Sequence, residues 1–235
     1  MKPPPLVIWL HARLSGTGIN SNWAMQLFLE QTAAMKLSGL LDHAEKFIIS
    51  CSDLDYGLAK EFAPGSPEFF IFEANKRGEL PTVAALQKWV QTNTEEKYIF
   101  YNHLKCATRS DDLCLAWRRC MLFHCVEHWI ACRSYLDAGK DAVGVHFMVP
   151  EEYAPGLVKE TYFGGNIWWA RSSFLATLPE IADHAANRAQ FFSAESWIGW
   201  GPRRPRVHDF HHGWPNEITC KQSVSAANSQ PQYST

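Results

Sequence analysis

Phe163-Gly164-Gly165-Asn166-Ile167-Trp168-Trp169-Ala170 and, further along, Glu195-Ser196-Trp197-Ile198-Gly199 are the stretches from which fold and site are best read. Two consecutive glycines let the backbone approach a ligand closely or take dihedrals closed to other residues. Asn166 offers a donor and an acceptor to sugar hydroxyls, and Trp168 and Trp169 offer faces that suit the C–H face of a pyranose. Adjacent strand residues point to opposite faces, so at least one of the two indoles is expected in the core. Glu195, among Phe191, Phe192 and Trp197, is a carboxylate in apolar company. Partial desolvation raises the pKa of such a group and suits it to act as general base on an acceptor hydroxyl. The competing reading is a helix-end carboxylate bound to backbone N–H groups.

Upstream, strand-like and helix-like patterns alternate. Leu6 to Ala12 is a buried strand followed by a Gly/Ser/Asn-rich loop, and Trp23 to His43 has apolar residues at helical spacing. Lys46 to Cys51, Glu68 to Phe72 and Tyr98 to Tyr101 read as further strands, and Pro81 to Thr92 as a helix with Pro at its start. Leu113 to Leu136 is the longest helical signal. Asp141 to Val149 and Thr161 to Ala170 return to strand, and Ser172 to Leu178 is a short helix before Pro179. This alternation predicts an α/β domain: a mainly parallel, Rossmann-like sheet with helices on both faces, over residues 1–222. The small polar residues of 223–235 predict a disordered tail.

Composition narrows the function classes. The chain has 235 residues, 46% hydrophobic and 20% charged, and a net charge of −2, so it has no global attraction for nucleic acid or an anionic membrane. A polyanion would need a local patch, for which Arg203, Arg204 and Arg206, with Trp200 and Trp214 nearby, are the candidates. The seven cysteines form no Cys-x-x-Cys pair, and five of them crowd in or beside one helical stretch. Reduced thiols and a cytoplasmic location are therefore expected. No apolar run approaches the roughly 20 residues of a membrane span.

In an open parallel sheet, ligands gather at the carboxyl ends of the strands. Four strand-end segments could share one pocket: His11 to Asn22, Ser52 to Asp55, Asn102 to Lys105, and Gly164 to Asn166. The strand Tyr98 to Tyr101 with its polar loop, Trp117-Arg118-Arg119, Asp141-Ala142-Val143-Gly144-Val145, Phe163 to Ala170 and Glu195-Ser196-Trp197-Ile198-Gly199, in this order and spacing, resemble the glycosyltransferase-like proteins of the GT-A fold found in bacteria and viruses. The resemblance spans about Leu6 to Pro215. It implies transfer of a sugar from a nucleotide sugar, a UDP-sugar first, to a hydroxyl of a glycan, a protein or a modified nucleic-acid base. It also implies a catalytic or acceptor-binding role for Glu195. His11, Asp53, Asp55, Asn102, His103 and Lys105 would then bind the donor, and Gly164, Gly165, Asn166, Trp168 and Trp169 the sugar or acceptor.

One departure matters. GT-A enzymes commonly hold Mn2+ or Mg2+ on an Asp-x-Asp after the fourth strand, because a hard cation wants oxygen ligands. Here that place reads Tyr101-Asn102-His103, without a carboxylate. Asp53-Leu54-Asp55 follows the second strand instead, where base or ribose is the more natural partner. His103 and Lys105, with Arg109 near, could meet a diphosphate directly. His208 and His211 stand where a late histidine joins the metal or diphosphate in some such enzymes.

Two other readings stay open. The fold could bind a nucleotide or sugar without turnover. His124-Cys125-Val126-Glu127-His128 matches the inverted zinc-protease pattern, though no third ligand is evident. Ser15-Gly16-Thr17-Gly18 fits no phosphate-loop spacing.

Overall fold

The computed structural model describes residues 3–16, 18–74, 78–152, 160–182, 190–213 and 217–228. Its centre is β1 (Leu6–Ala12), buried along its whole length. A run apolar but for His11 belongs to a strand covered on both faces. β1 pairs in parallel with β2 (Ala44–Ser52) on one side and with β4 (Tyr98–His103) on the other, and β2 pairs in parallel with β3 (Glu68–Phe72). Beyond β4 come β8 (Trp168–Arg171), β5 (Ala142–Gly144) and β9 (Val207–Asp209), giving a seven-stranded sheet ordered β3-β2-β1-β4-β8-β5-β9. Only β8 runs antiparallel to its neighbours. The mainly parallel α/β sheet is the one the strand–helix alternation predicts. β6 (Phe147–Met148) and β7 (Tyr162–Phe163) form a separate antiparallel pair.

Helices cover both faces. On one, α3 (Leu80–Thr92), α6 (Ser172–Leu175) and α7 (Gln190–Ser196) close over Val7, Trp9, Ile99, Tyr101 and Trp168. On the other, α1 (Ser21–Leu37), α4 (Asp112–Leu122) and α5 (Trp129–Asp137) close over Ile8, Phe100, Val143 and Trp169. α2 (Tyr56–Phe62) packs Ala59 under the carboxyl ends of β1 and β2.

The tryptophan pair is core on both sides of the sheet. Trp168 stands opposite Tyr101 and stacks on it at 5.0 Å and 16°, while Trp169 stacks on Phe100 at 5.0 Å and 23°. Both indoles are fully buried, so neither offers a face to a sugar. Cross-strand aromatic pairing uses both faces, one per side, which follows from the period of two along a strand.

Three predicted elements are broken, each for a local reason. The 113–136 helix is split by a π-turn at Phe123–Glu127, where His128 N bonds back to Phe123 O, five residues earlier. The 141–149 strand stops after Gly144, and His146, with a φ of 56°, turns the chain into the second sheet. The 161–170 strand is cut by a tight turn at Gly165 (φ 91°) and Asn166 (φ 50°), closed by Asn166 N on Phe163 O. At the chain's end, α8 (Glu217–Asn228) carries helix past residue 222, where a disordered tail was expected. Val224 packs on the α4 side of the core and Cys220 is fully buried there. Residues 229–235 lie outside the described residues.

Gly199 explains the end of the Glu-Ser-Trp-Ile-Gly stretch. A Cβ there would lie 2.0 Å from Thr161 O and 2.6 Å from Thr161 C, and backbone cannot yield as a flexible side chain does. Gly199→Ala is expected to cost about 3 kcal/mol by overpacking, lowering Tm by roughly 6–12 °C for a chain of this size. An unchanged melting curve would show that the 160–161 segment moves freely.

Candidate functional site

A cleft of about 420 Å³ opens at the carboxyl ends of β1 and β4, with His11, Arg13, Glu79, His103, Lys105 and Glu195 in its walls. β1 is flanked by β2 on one side and β4 on the other, so the chain's strand order reverses here, where open α/β sheets bind ligands. Its size falls in the range of roughly 300–1,000 Å³ usual for ligand clefts.

Glu79 organises the floor. It stands just before Leu80-Pro81 at the start of α3, and its carboxylate gathers three groups from elsewhere. His103 Nδ1 lies 2.8 Å from Oε1, and Tyr101 OH and Asn166 Nδ2 donate to Oε2 at 2.7 and 2.6 Å. Burial would raise its pKa, but the His103 charge and hydrogen bond, with help from His11 and Tyr101, more than offset that and hold it at about 2. Asn166 in turn accepts from Trp168 Nε1 at 2.7 Å. Its amide is spent inside the protein, so Asn166 positions Glu79 rather than gripping a sugar.

Glu195 forms the opposite wall. Its Oε1 accepts from Gly165 N–H at 2.6 Å. Burial raises its pKa against the lowering effect of Lys105 and of that N–H. The side chains of Phe191 and Phe192, expected around it, lie outside the described residues. Gly165 must be glycine: a Cβ there would meet Met121 Sδ at 2.6 Å, and φ is 91°. Lys105 Nζ sits 3.9 Å from the centre of the Trp117 ring, a cation–π contact that aims the ammonium along this wall.

Two further cleft groups have defined states. His11 Nδ1 lies 2.7 Å from Thr82 Oγ1, which is 2.6 Å from Ser50 Oγ, and burial holds the imidazole down at about 4, so it is neutral at ordinary pH. Arg13 makes no ion pair among the described residues and faces the cleft. His103 Nε2 and both amide atoms of Asn102 are buried without a hydrogen-bond partner.

Several predicted residues lie elsewhere. Asp55 accepts from Leu14 N, Ser15 Oγ and Ser52 Oγ, tying the β1 and β2 loops together. Asp53 caps Leu54 N and Ala74 N on the exposed rim. Both carboxylates serve turns. His208 stacks on Tyr135 at 3.4 Å, and His211 stands edge-on to His146, behind α4 and away from the cleft walls.

Arg203 and Arg206 both bind Asp141, and Arg204 binds Glu152. Burial would raise the Asp141 pKa, but the bonds from Arg203 and Arg206 hold it well below the usual carboxylate range. Three guanidiniums against two carboxylates leave one net charge, so the expected polyanion patch is largely neutralised. Trp214 lies outside the described residues. His124 lies flat on Phe210, and burial first, then the nearby histidines, hold it down at about 3. His128 Nδ1 is 3.0 Å from Phe123 O. Among the described residues no third ligand joins this pair.

Reading by sequence missed Glu79 and Arg13. Arg13 lies inside the segment assigned to the pocket, but nothing local marks it. Glu79-Leu80-Pro81 carried a weak signal, an acid at the helix start that the Pro marks.

At the place of the Asp-x-Asp, Asn102 and His103 supply an amide and an imidazole whose Nδ1 is already on Glu79. Glu79 itself is filled by three groups, and one Glu195 oxygen holds Gly165 N. This donor set does not make the oxygen cage that Mn2+ or Mg2+ wants.

No family model matches the chain, and no curated protein matches it. Similar solved structures include 4-diphosphocytidyl-2C-methyl-D-erythritol synthase from Anaerococcus prevotii, with 11% identity over 96% of this chain and 97% of that one and a TM-score of 0.49. A cytidylyltransferase from Leptospira borgpetersenii is 12% identical over 91% and 77%, with a TM-score of 0.48. CMP:2-keto-3-deoxy-manno-octonic acid synthetase, in complex with CTP, is 10% identical over 95% and 98%, with a TM-score of 0.42. At these values they assign neither activity nor substrate to this chain. Among the described residues, no helix is long and apolar enough to cross a membrane.

Proposed function

We propose that the cleft is the active site of a transferase that moves a sugar from a nucleotide sugar, a UDP-sugar first, to a hydroxyl acceptor. The observation that carries this reading is the pairing, in one cleft, of cationic or basic groups at Arg13, His103 and Lys105 with the carboxylate of Glu195, whose pKa burial raises. The resemblance to GT-A glycosyltransferases in Gly164–Trp169 and Glu195–Gly199 points the same way.

In this reading the donor diphosphate lies along Arg13, His103 and Lys105. A phosphate oxygen meets His103 at Nε2, the ring nitrogen left free when Nδ1 engages Glu79. Glu195 takes the proton of the acceptor hydroxyl as that oxygen bonds to the anomeric carbon. The bond from that carbon to the phosphate oxygen breaks, its electron pair leaving with the nucleoside diphosphate, whose charge the cations meet. The proton then passes from Glu195 to water.

A mass-spectrometric screen of nucleotide sugars against hydroxyl acceptors tests this, reading sugar gain on the acceptor and release of nucleoside diphosphate. Binding without hydrolysis or transfer across the panel overturns it in favour of a binding protein. Pyrophosphate release from a nucleoside triphosphate with a sugar phosphate would assign nucleotidyl transfer instead. Transfer is expected at the same rate in chelator-treated buffer with or without Mn2+, and an absolute Mn2+ requirement would defeat the cation-only account of the diphosphate.

Arg13→Ala is expected to raise the donor Kd about 10–100-fold, the worth of one charge-assisted hydrogen bond. Titration calorimetry checks it. An unchanged Kd removes Arg13 from the donor site.

A further inference from the structure

Behind α4, on the far side of the Gly164–Asn166 turn, three buried side chains converge that the proposed transfer does not use. Cys120 comes from α4, His146 from the β5–β6 link and Cys220 from α8, and their ligand atoms all lie within 4.8 Å of one another. Each residue is 0% exposed. We propose that Cys120, His146 and Cys220 form a structural zinc site, with the neighbouring imidazole of His211 drawn into the fourth position when the ion binds.

The geometry suits the ion. With Zn–S near 2.3 Å and Zn–N near 2.0–2.1 Å, tetrahedral angles set sulfur and nitrogen about 3.6 Å apart. Cys220 Sγ and His146 Nε2 are 3.7 Å apart. His146 Nδ1 lies 3.1 Å from Gly213 O, and a carbonyl can only accept. Nδ1 therefore carries the proton, and the Nε2 lone pair faces the sulfurs, the tautomer and carbonyl partner typical of a zinc-bound histidine. The His211 ring centre is 4.8 Å from that of His146 and perpendicular to it.

His146 has a φ of 56°, a left-handed conformation uncommon outside glycine. Zinc binds cysteine as thiolate, so any proton still on Cys120 or Cys220 leaves to solvent on binding. Two cysteines a hundred positions apart with no Cys-x-x-Cys spacing leave no local signature.

The site would clamp α8 to α4 and fix the turn beside the cleft. His146 O accepts from Gly164 N at 2.8 Å, and the next residue, Gly165, holds Glu195. The inference does not rest on the transferase reading, and its test reads metal rather than activity. Protein made without a histidine tag in zinc-supplemented medium should carry about one zinc per chain by elemental analysis. Cobalt exchanged into it should show thiolate-to-cobalt charge transfer and the intense visible bands of tetrahedral Co2+. Cys120→Ser and Cys220→Ser should each lose most of the zinc, and His211→Ala should weaken it about tenfold or more.

Folded wild-type protein with neither zinc nor a cobalt spectrum overturns the proposal. So does a chain lighter by two hydrogens whose Cys120 and Cys220 resist alkylation, which would be a disulfide. Full zinc retention in both serine variants places the metal elsewhere and overturns it equally.

Discussion

Glu195→Gln is expected to lower kcat by about 10²–10⁴-fold, the usual worth of a positioned general base, while the fold stays intact. Glutamine has the same length, and its Oε1 can still accept from Gly165 N–H, the contact that holds the side chain at 2.6 Å. What it loses is the capacity to take a proton. The pH profile separates the two. A base works only when deprotonated, so kcat/KM should rise with pH through the Glu195 pKa, which burial lifts above the usual 4.5. The variant should lack that limb.

Stability should move in the opposite sense from activity. A carboxyl whose folded pKa is raised binds more protons in the folded chain than in the unfolded one, so its contribution falls as pH rises through that window. Above its folded pKa the ionised Glu195 therefore costs stability, and there Glu195→Gln should melt no lower than wild type. Full activity in the variant, or the same acid limb in its pH profile, removes Glu195 from the chemistry. A lower Tm would make the residue structural.

How far the chain could be read in advance depends on how local each cause is. β1, β2, β4, α1 and α3 were legible because apolar periodicity is a property of neighbours in sequence, while the short α2 between β2 and β3 was not seen. The breaks at His146 and at Gly165-Asn166 were not, since they are one and two left-handed residues inside otherwise strand-like runs. The Gly-Gly-Asn turn lies against Glu195, but Asn166 was assigned to a ligand when it serves Glu79, 87 positions away. Asp55 shows the same limit: its acidic pattern was visible, its partners at Leu14 and Ser15 were not. Residue type announces what a group can do; only the fold decides whether that capacity has been used up internally.

Glu79→Ala is the case where this matters most. Its removal leaves Tyr101 OH, Asn166 Nδ2 and His103 Nδ1 without their acceptor at the cleft floor. Each buried group left unpaired costs about 1–3 kcal/mol, and loss of one partner of a buried ion pair about 3–5. The Glu79 side chain is 17% exposed, so water can reach part of the gap, and the lower end, about 3 kcal/mol, is expected. Tm should fall by roughly 6–12 °C. Because the folded pKa of Glu79 is lowered to about 2, its contribution is fully present above the unfolded value and fades as pH falls through the folded one. The gap between wild type and variant should hold steady above about pH 5 and close between roughly pH 4.5 and 2. Glu79→Gln, which keeps one accepting oxygen but turns an N–H2 toward the remaining donors, should lie between them. Donor affinity should fall in both variants, since His103 would no longer be fixed with Nε2 toward the phosphate. A Glu79→Ala protein melting within about 2 °C of wild type would mean that the three groups find new partners at no cost, and Glu79 would then be a cleft residue without an organising role.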